Sequence, residues 1–392
     1  MIDRDDLLTD LQDLVACPSV TGDERAAVEL VAERAEDLGL DAEVVSFDLD
    51  LLRAHPDYPG EEAPRTELVA AIATRRGADP HAPRLAFNGH IDVVHEGAEQ
   101  WSHGPWSGAR EDGFLYGRGS VDMKAGVVAM LHAAAAADAP QGDIVVLATP
   151  SEEDGGLGTF AALERDDDLA GCVIPEPTGF ELICAQAGAL TFSGVVHGKA
   201  AHAALRLEGR SAIDAYVPFH LALQEHERRL NAGVENELMR RHELPYPLVV
   251  GRVAAGRWSS QVPDRLEFEG RLGVPIGMRV EDARAGLDRL AADHGIELTW
   301  SGGQFAPCAT DPQHPFVRRV ADAAAAELGA EPALTGASYG SDMRLWAKRG
   351  IPCAMIGTRG IERAHGVDER VAEDEVMTVA RILERVASGF RG

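Results

Sequence analysis

Hydrophobic positions along this chain follow two different rhythms. Near the start, Leu7, Leu8, Leu11, Leu14 and Val15 recur at helical spacing, and Pro18 closes the run. A second helix is expected after Thr21-Gly22-Asp23-Glu24, carrying Val28, Leu30 and Val31 to Leu38, with Gly39 as its stop. Val44-Val45 and the segment from Leu68 to Ile72 read as strands, separated by a polar, proline-containing excursion from His55 to Arg65. A different grammar then begins, in which each short apolar run leads to charged residues or histidine. Leu85-Ala86-Phe87 leads to His90 and Asp92, Ile144 to Ala148 to Glu152 and Glu153, Cys172-Val173-Ile174 to Glu176, and Ala354-Met355-Ile356, after a loop, to His365. Continuous apolar runs are typical of parallel strands buried on both faces. Ligands of open α/β sheets bind beyond the carboxyl ends of such strands, where all of these polar clusters fall.

The middle of the chain reads otherwise. Strands are expected at Leu190 to Val196, Leu248 to Val253, Leu266 to Leu272 and Ile296 to Trp300, with helices at Ser211 to Leu230 and Val280 to Ala292. The order β-α-β-β-α-β is that of a ferredoxin-like unit. The pattern therefore predicts an α/β fold with a doubly wound, mostly parallel sheet, formed by residues 1–184 and 303–392. A ferredoxin-like α+β domain, residues 185–302, is inserted into it. A chain of 392 residues exceeds what one core usually holds, which agrees with two domains.

Composition narrows the function classes. The net charge is −27, from 64 acidic and 37 basic residues, and the acidity is distributed rather than confined to a tail. Lys124, Lys199 and Lys348 are the only lysines, which leaves 34 of the 37 basic residues as arginine. Such a surface suggests adaptation to high salt, where screening relieves self-repulsion; a GC-rich genome also raises Arg and Ala. Nucleic acid is excluded as a partner on this balance. The acidic start of the chain has no apolar run of secretory type, and no stretch reaches the length of a membrane span. A cytoplasmic protein without a membrane partner is expected. Five scattered cysteines without a C-x-x-C motif argue against a disulfide framework or a structural zinc site.

The strand-end clusters carry the chemistry. His90 and Asp92 are two apart on extended backbone and can face one site, and a carboxylate in that relation can orient a ligating histidine. Asp122 lies in Gly117-Arg118-Gly119-Ser120-Val121-Asp122-Met123-Lys124, just before a predicted helix. Glu152 and Glu153 are a tandem pair whose side chains diverge, which permits two roles. Glu176 is held between Pro175 and Pro177. With His365, these residues form a mixed nitrogen and oxygen donor set that suits zinc, cobalt or manganese better than calcium. Any one cluster also reads as a chance H-x-D or as a solvated pair of glutamates; their common placement after strands is what joins them.

Taken in order, the G-H-I-D-V-V run at His90, Y-G-R-G-S-V-D-M-K-A-G at Asp122, S-E-E-D-G-G at Glu152, P-E-P-T at Glu176 and A-H-G-V-D-E at His365 resemble one family. It is the zinc-exopeptidase-like family of acetylornithine deacetylase, succinyl-diaminopimelate desuccinylase, aminoacylase and the glutamate-releasing carboxypeptidase. The likeness spans nearly the whole chain. It implies two divalent ions per subunit, zinc first, with cobalt or manganese as alternatives. One ion would be held by His90, Asp122 and Glu176, the other by Asp122, Glu153 and His365, with Asp122 shared. Asp92 would orient His90, and Glu152 would act as general base and then acid. His202, in Gly198-Lys199-Ala200-Ala201-His202-Ala203, would stabilise the oxyanion, and the inserted domain would form a homodimer. Two departures concern the substrate carboxylate. Ser259-Ser260-Gln261-Val262-Pro263 stands where many relatives carry Asn before Pro, and Arg271 lies two residues ahead of the family's Asp-x-Arg position. Arg271 and Arg344 are the candidates for that anchor. The function implied is hydrolysis of an N-acyl amino acid or diamino acid. Glu176, rather than the Asp of several di- and tripeptidases, favours it. Carboxypeptidase or dipeptidase activity on the same site is the alternative, and a non-catalytic binding protein is a third reading.

Overall fold

The computed structural model describes residues 1–391, and the chain divides into two compact units. The first comprises Met1–Cys184, Ala309–Thr335 and Ser341–Gly392, the second Ala185–Cys308 with Gly336–Gly340.

The amphipathic segments of the first unit form helices Arg4–Ala16 and Arg25–Asp37, and Asp3 caps the first by accepting from the amides of Asp5 and Asp6. The sheet runs in the order Asp41–Ser46, Val69–Arg75, Ile144–Thr149, Leu85–His90, Gly171–Ile174, Cys353–Met355, Leu182–Gln186, Cys308–Ala309. Its parallel part is the central four strands, Ile144–Thr149 to Cys353–Met355; the pairings among Asp41–Ser46, Val69–Arg75 and Ile144–Thr149, and between Cys353–Met355 and Leu182–Gln186, are antiparallel. Every residue of the four central strands is buried, so both faces are covered, and for that reason their sequences read as unbroken apolar runs. Helix Ala125–Ala136 is buried over nearly its whole circumference, packed among sheet strands and helix Glu373–Ser388. Three of the free cysteines, Cys172, Cys184 and Cys353, are buried, whereas Cys17 and Cys308 are only partly so.

In the second unit, strands Gly188–His197, Leu248–Ala255, Arg265–Val274 and Leu298–Phe305 form an antiparallel sheet. Numbered in that order within the unit, they lie as 2-3-1-4, the ferredoxin-like arrangement. Burial alternates along Arg265–Val274, as a sheet covered on one face requires. Phe192, Phe268 and Leu272 meet Tyr216, Phe219 and Leu223 of helix Ala212–Leu230, and Leu287 of helix Val280–Ala292. Gly336–Gly340, read from sequence as part of the first domain, belongs to this unit. The backbone explains it: Ala187 N donates to Ala337 O, and Gly336 N to Leu238 O.

Among the described residues, no helix is long and apolar enough to cross a membrane.

Candidate metal centre

The carboxyl ends of the central strands deliver their polar residues to one place. His90 ends strand Leu85–His90 and is buried. Its Nε2 lies 3.2 Å from Asp122 Oδ1 and 3.9 Å from Glu176 Oε1. His365 Nε2 lies 3.1 Å from Glu153 Oε1 and 3.5 Å from Asp122 Oδ2. Two groups of potential ligands result, His90–Asp122–Glu176 and Asp122–Glu153–His365, each with its donor atoms within 4.8 Å of one another. Asp122 belongs to both and offers a different oxygen to each histidine.

Local packing fixes these side chains. Asp122 sits where the chain turns into helix Ala125–Ala136 with extended backbone, φ −122° and ψ 95°, so its carboxylate is turned off the helix path. Close packing at two glycines seats Glu176. A Cβ on Gly126 would meet Pro175 O at 2.5 Å, and one on Gly357 would collide with Glu176 O. His365 lies on a loop with φ +62° and is half exposed, unlike His90.

The charges are consistent with a cation site. Five carboxylates, Asp92, Asp122, Glu152, Glu153 and Glu176, accompany two imidazoles at the centre. Burial, together with neighbouring carboxylates, raises Glu152 and Glu176 well above the ordinary carboxylate range, although His90 opposes the shift in both. Burial also lifts Asp92 to about 7. Asp122 is depressed despite its burial, because both histidines hydrogen-bond to it. His365 is raised to about 10 by hydrogen bonds to Asp122 and Glu153. Burial disfavours the charged form of His90, yet Asp122, Glu176 and Asp92 hold it well above its usual value. The N/O donor set of each group fits zinc, cobalt or manganese.

Asp92 differs from the sequence expectation. His90 Nδ1 donates to the main-chain carbonyl of Asp92 at 2.8 Å, while the nearer carboxylate oxygen is 3.7 Å away. The carboxylate instead accepts the backbone N–H groups of Glu152 (3.1 Å) and Glu153 (3.2 Å) and the hydroxyl of Thr21 (3.1 Å). Asp92 thus fixes His90 through its backbone and the tandem glutamates through its side chain. Glu152 is buried beside the two groups and belongs to neither.

The candidate substrate anchors divide. Arg344 is buried, donating from Nη1 to Ser341 O (2.9 Å) and from Nη2 to Gly155 O (2.5 Å). These bonds turn its guanidinium inward to brace the loop after Glu153, which corrects its reading as a carboxylate anchor. Arg271 lies on the exposed face of its strand in the second unit, opposite Thr191 and Val249. His202, in that same unit, is exposed, and its Nδ1 accepts from Ala204 N at 3.1 Å at the start of a short 3₁₀ segment.

Arg118 and Glu369, to which no motif in the sequence assigns a role, form a buried ion pair behind the centre, with Nη1 to Oε2 at 2.6 Å. A lone charged residue between Gly117 and Gly119 was the available signal. Two tryptophans lie over buried cations nearby: the Trp101 ring over Arg118 at 5.2 Å and the Trp106 ring over Lys124 at 5.7 Å.

Comparison with known proteins gives a consistent result. The profile described as peptidase family M20/M25/M40 matches residues 86–389. A succinyl-diaminopimelate desuccinylase of Methylorubrum extorquens is 32% identical over 402 residues, covering 97% of each chain. Among solved structures, an M20 family metallo-carboxypeptidase from Sulfolobus solfataricus superposes with a TM-score of 0.76 at 16% identity, over 97% of this chain and 98% of that one. A Bacillus subtilis protein described as a dinuclear metal binding peptidase of the M20 family gives 0.64 at 18% identity, over 98% and 97%.

Proposed function

Since the chain belongs to peptidase family M20/M25/M40 and is a metal-dependent amidohydrolase, we propose that it cleaves the N-acyl amide bond of a small N-acyl diamino acid, the N-succinyl-diaminopimelate type first. The observation that carries this reading is the 32% identity to a desuccinylase across 97% of both chains. The complete donor set around Asp122 supports it.

His90, Asp122 and Glu176 would hold one ion, and Asp122, Glu153 and His365 the other, with zinc preferred and cobalt or manganese suited to the same donors. When bound, such a pair supplies Lewis acidity to the scissile carbonyl and to the attacking water. Glu152 takes the proton of that water and returns it to the departing amine. Burial raises its carboxyl, which favours a residue that must hold the proton between the two steps. Asp92 holds the amides of Glu152 and Glu153, so that base and ligand keep their register. His202 is assigned to the oxyanion on the strength of the motif around it, and Arg271 to the substrate carboxylate although it stands two residues ahead of the family position.

With metal supplied, N-succinyl-diaminopimelate or N-acetylornithine should be hydrolysed with a kcat/KM at least 100-fold above that for any dipeptide in a panel. The reverse ranking would establish the peptidase reading. A protein that binds these compounds without turning any over would establish the non-catalytic one.

The assembly proposed is a homodimer through the second unit. Ile213, Val217 and Leu221 stand exposed at four-residue spacing on helix Ala212–Leu230, and Val249 and Val253 on the edge strand Leu248–Ala255. Both features suit a covering partner of the same kind. We also assign the protein to a high-salt interior. With 64 acidic against 37 basic residues, self-repulsion opposes compaction in dilute buffer. The melting temperature should therefore rise between dilute and molar salt; a flat or falling trend would favour the genome-composition account.

A further inference from the structure

The ion pair Arg118–Glu369 is fully enclosed within the first unit, with side chains 2% and 0% exposed. Burying two charges is costly enough that such a pair is weak evidence for stability, so its use lies in what it touches. Glu369 gives Oε2 to Arg118 Nη1 at 2.6 Å and Oε1 to the backbone N–H groups of Val121 (3.0 Å) and Asp122 (3.2 Å). Its own carbonyl accepts from Gly117 N at 2.9 Å. Arg118 Nη2 donates to His95 O (3.3 Å) and to His365 O (3.2 Å). The pair therefore ties together three loops, each of which follows or carries a member of the metal centre: the loop after Asp92, the loop ending in Asp122, and the loop of His365.

Two features of these loops call for outside support. Asp122 has non-helical backbone at the mouth of a helix, and His365 and Asp368 have positive φ, +62° and +57°. The backbone of Asp122 is ordinary extended chain that departs only from the helix it precedes, whereas positive φ at His365 and Asp368 is uncommon outside glycine. Arg118 takes the carbonyl of His365, Glu369 takes the amide of Asp122, and Asp368 accepts from Ser102 N and Oγ at 2.7 and 2.8 Å.

We propose that Arg118 and Glu369 are positioning residues that hold Asp122 and His365 at their observed spacing, so that the shared carboxylate and the exposed histidine meet a metal ion already arranged. The proposal rests on the metal reading of the site. The pair fixes main-chain atoms rather than ligand side chains, and its influence on ion binding is therefore geometric.

The test uses the full chain carrying Glu369→Gln or Arg118→Lys, read by competition with a chromophoric chelator for zinc and by steady-state kinetics. Partners that orient ligands typically change metal affinity by about 10–100-fold when lost. A loss of that size is expected, with kcat reduced more than KM is altered. His132→Gln serves as the control. It replaces the imidazole that contacts Asp10 (2.8 Å) by an uncharged amide and should lower the melting temperature without moving zinc affinity. Glu369→Asp keeps the buried charges balanced but draws the carboxylate back by one methylene, and it is read in the same way if either other variant does not fold. Variants that melt earlier yet keep wild-type zinc affinity and kcat would overturn the proposal. Wild-type protein that neither holds zinc nor turns over substrate would instead overturn the metal reading beneath it.

Discussion

Glu152→Gln is expected to lower kcat by about 10²–10⁴-fold while both metal ions stay bound, and Glu153→Gln to empty one of the two sites. The neighbours share a chemical group and differ in where it goes. Glu153 Oε1 lies 3.1 Å from His365 Nε2 and belongs to one of the two ligand groups, whereas Glu152 belongs to neither. An amide at position 152 cannot accept a proton from water, yet it removes no donor from either ion. An amide at position 153 removes an anionic oxygen from the Asp122–Glu153–His365 group, whose histidine is already half exposed. Kinetics together with metal analysis on each variant decides the assignment. Loss of an ion from Glu152→Gln, with full occupancy and slowed turnover in Glu153→Gln, would reverse the two roles. Wild-type rate and occupancy in both would make the pair a solvated face.

The parts of this centre legible in the sequence are those that follow strands. His90, Glu152, Glu153 and Glu176 stand directly after runs whose unbroken apolarity reflects burial on both faces of the sheet, and the structure places those runs side by side. Position along the chain was a poorer guide to the contacts of each group. Asp92 reads as the orienter of His90 by its spacing, but His90 Nδ1 finds the main-chain carbonyl closer, which leaves the carboxylate to the amides of Glu152 and Glu153, 60 and 61 residues on. Arg344 reads as a candidate carboxylate anchor, while the Gly155 carbonyl that it binds lies 189 residues earlier. Arg118 and Glu369 are 251 residues apart and are joined only by folding. Gly336–Gly340 carries no periodic pattern, and its place in the second unit comes from backbone bonds that any sequence could make.

Removal of metal is expected to have the other large effect. Without ions, the carboxylates of Asp122, Glu153 and Glu176 face only the imidazoles of His90 and His365. The Lewis acidity proposed for the ions would then be lost, leaving only the acid–base help proposed for Glu152, of the order given above. Metal analysis and hydrolysis of N-succinyl-diaminopimelate, measured on the same samples before chelation, after it, and after return of zinc, cobalt or manganese, test this directly. The account predicts close to two divalent ions per chain at the outset, matching the two ligand groups. Hydrolysis should disappear as they are withdrawn and return as they are restored. Undiminished hydrolysis in protein whose metal content has fallen to zero would contradict it.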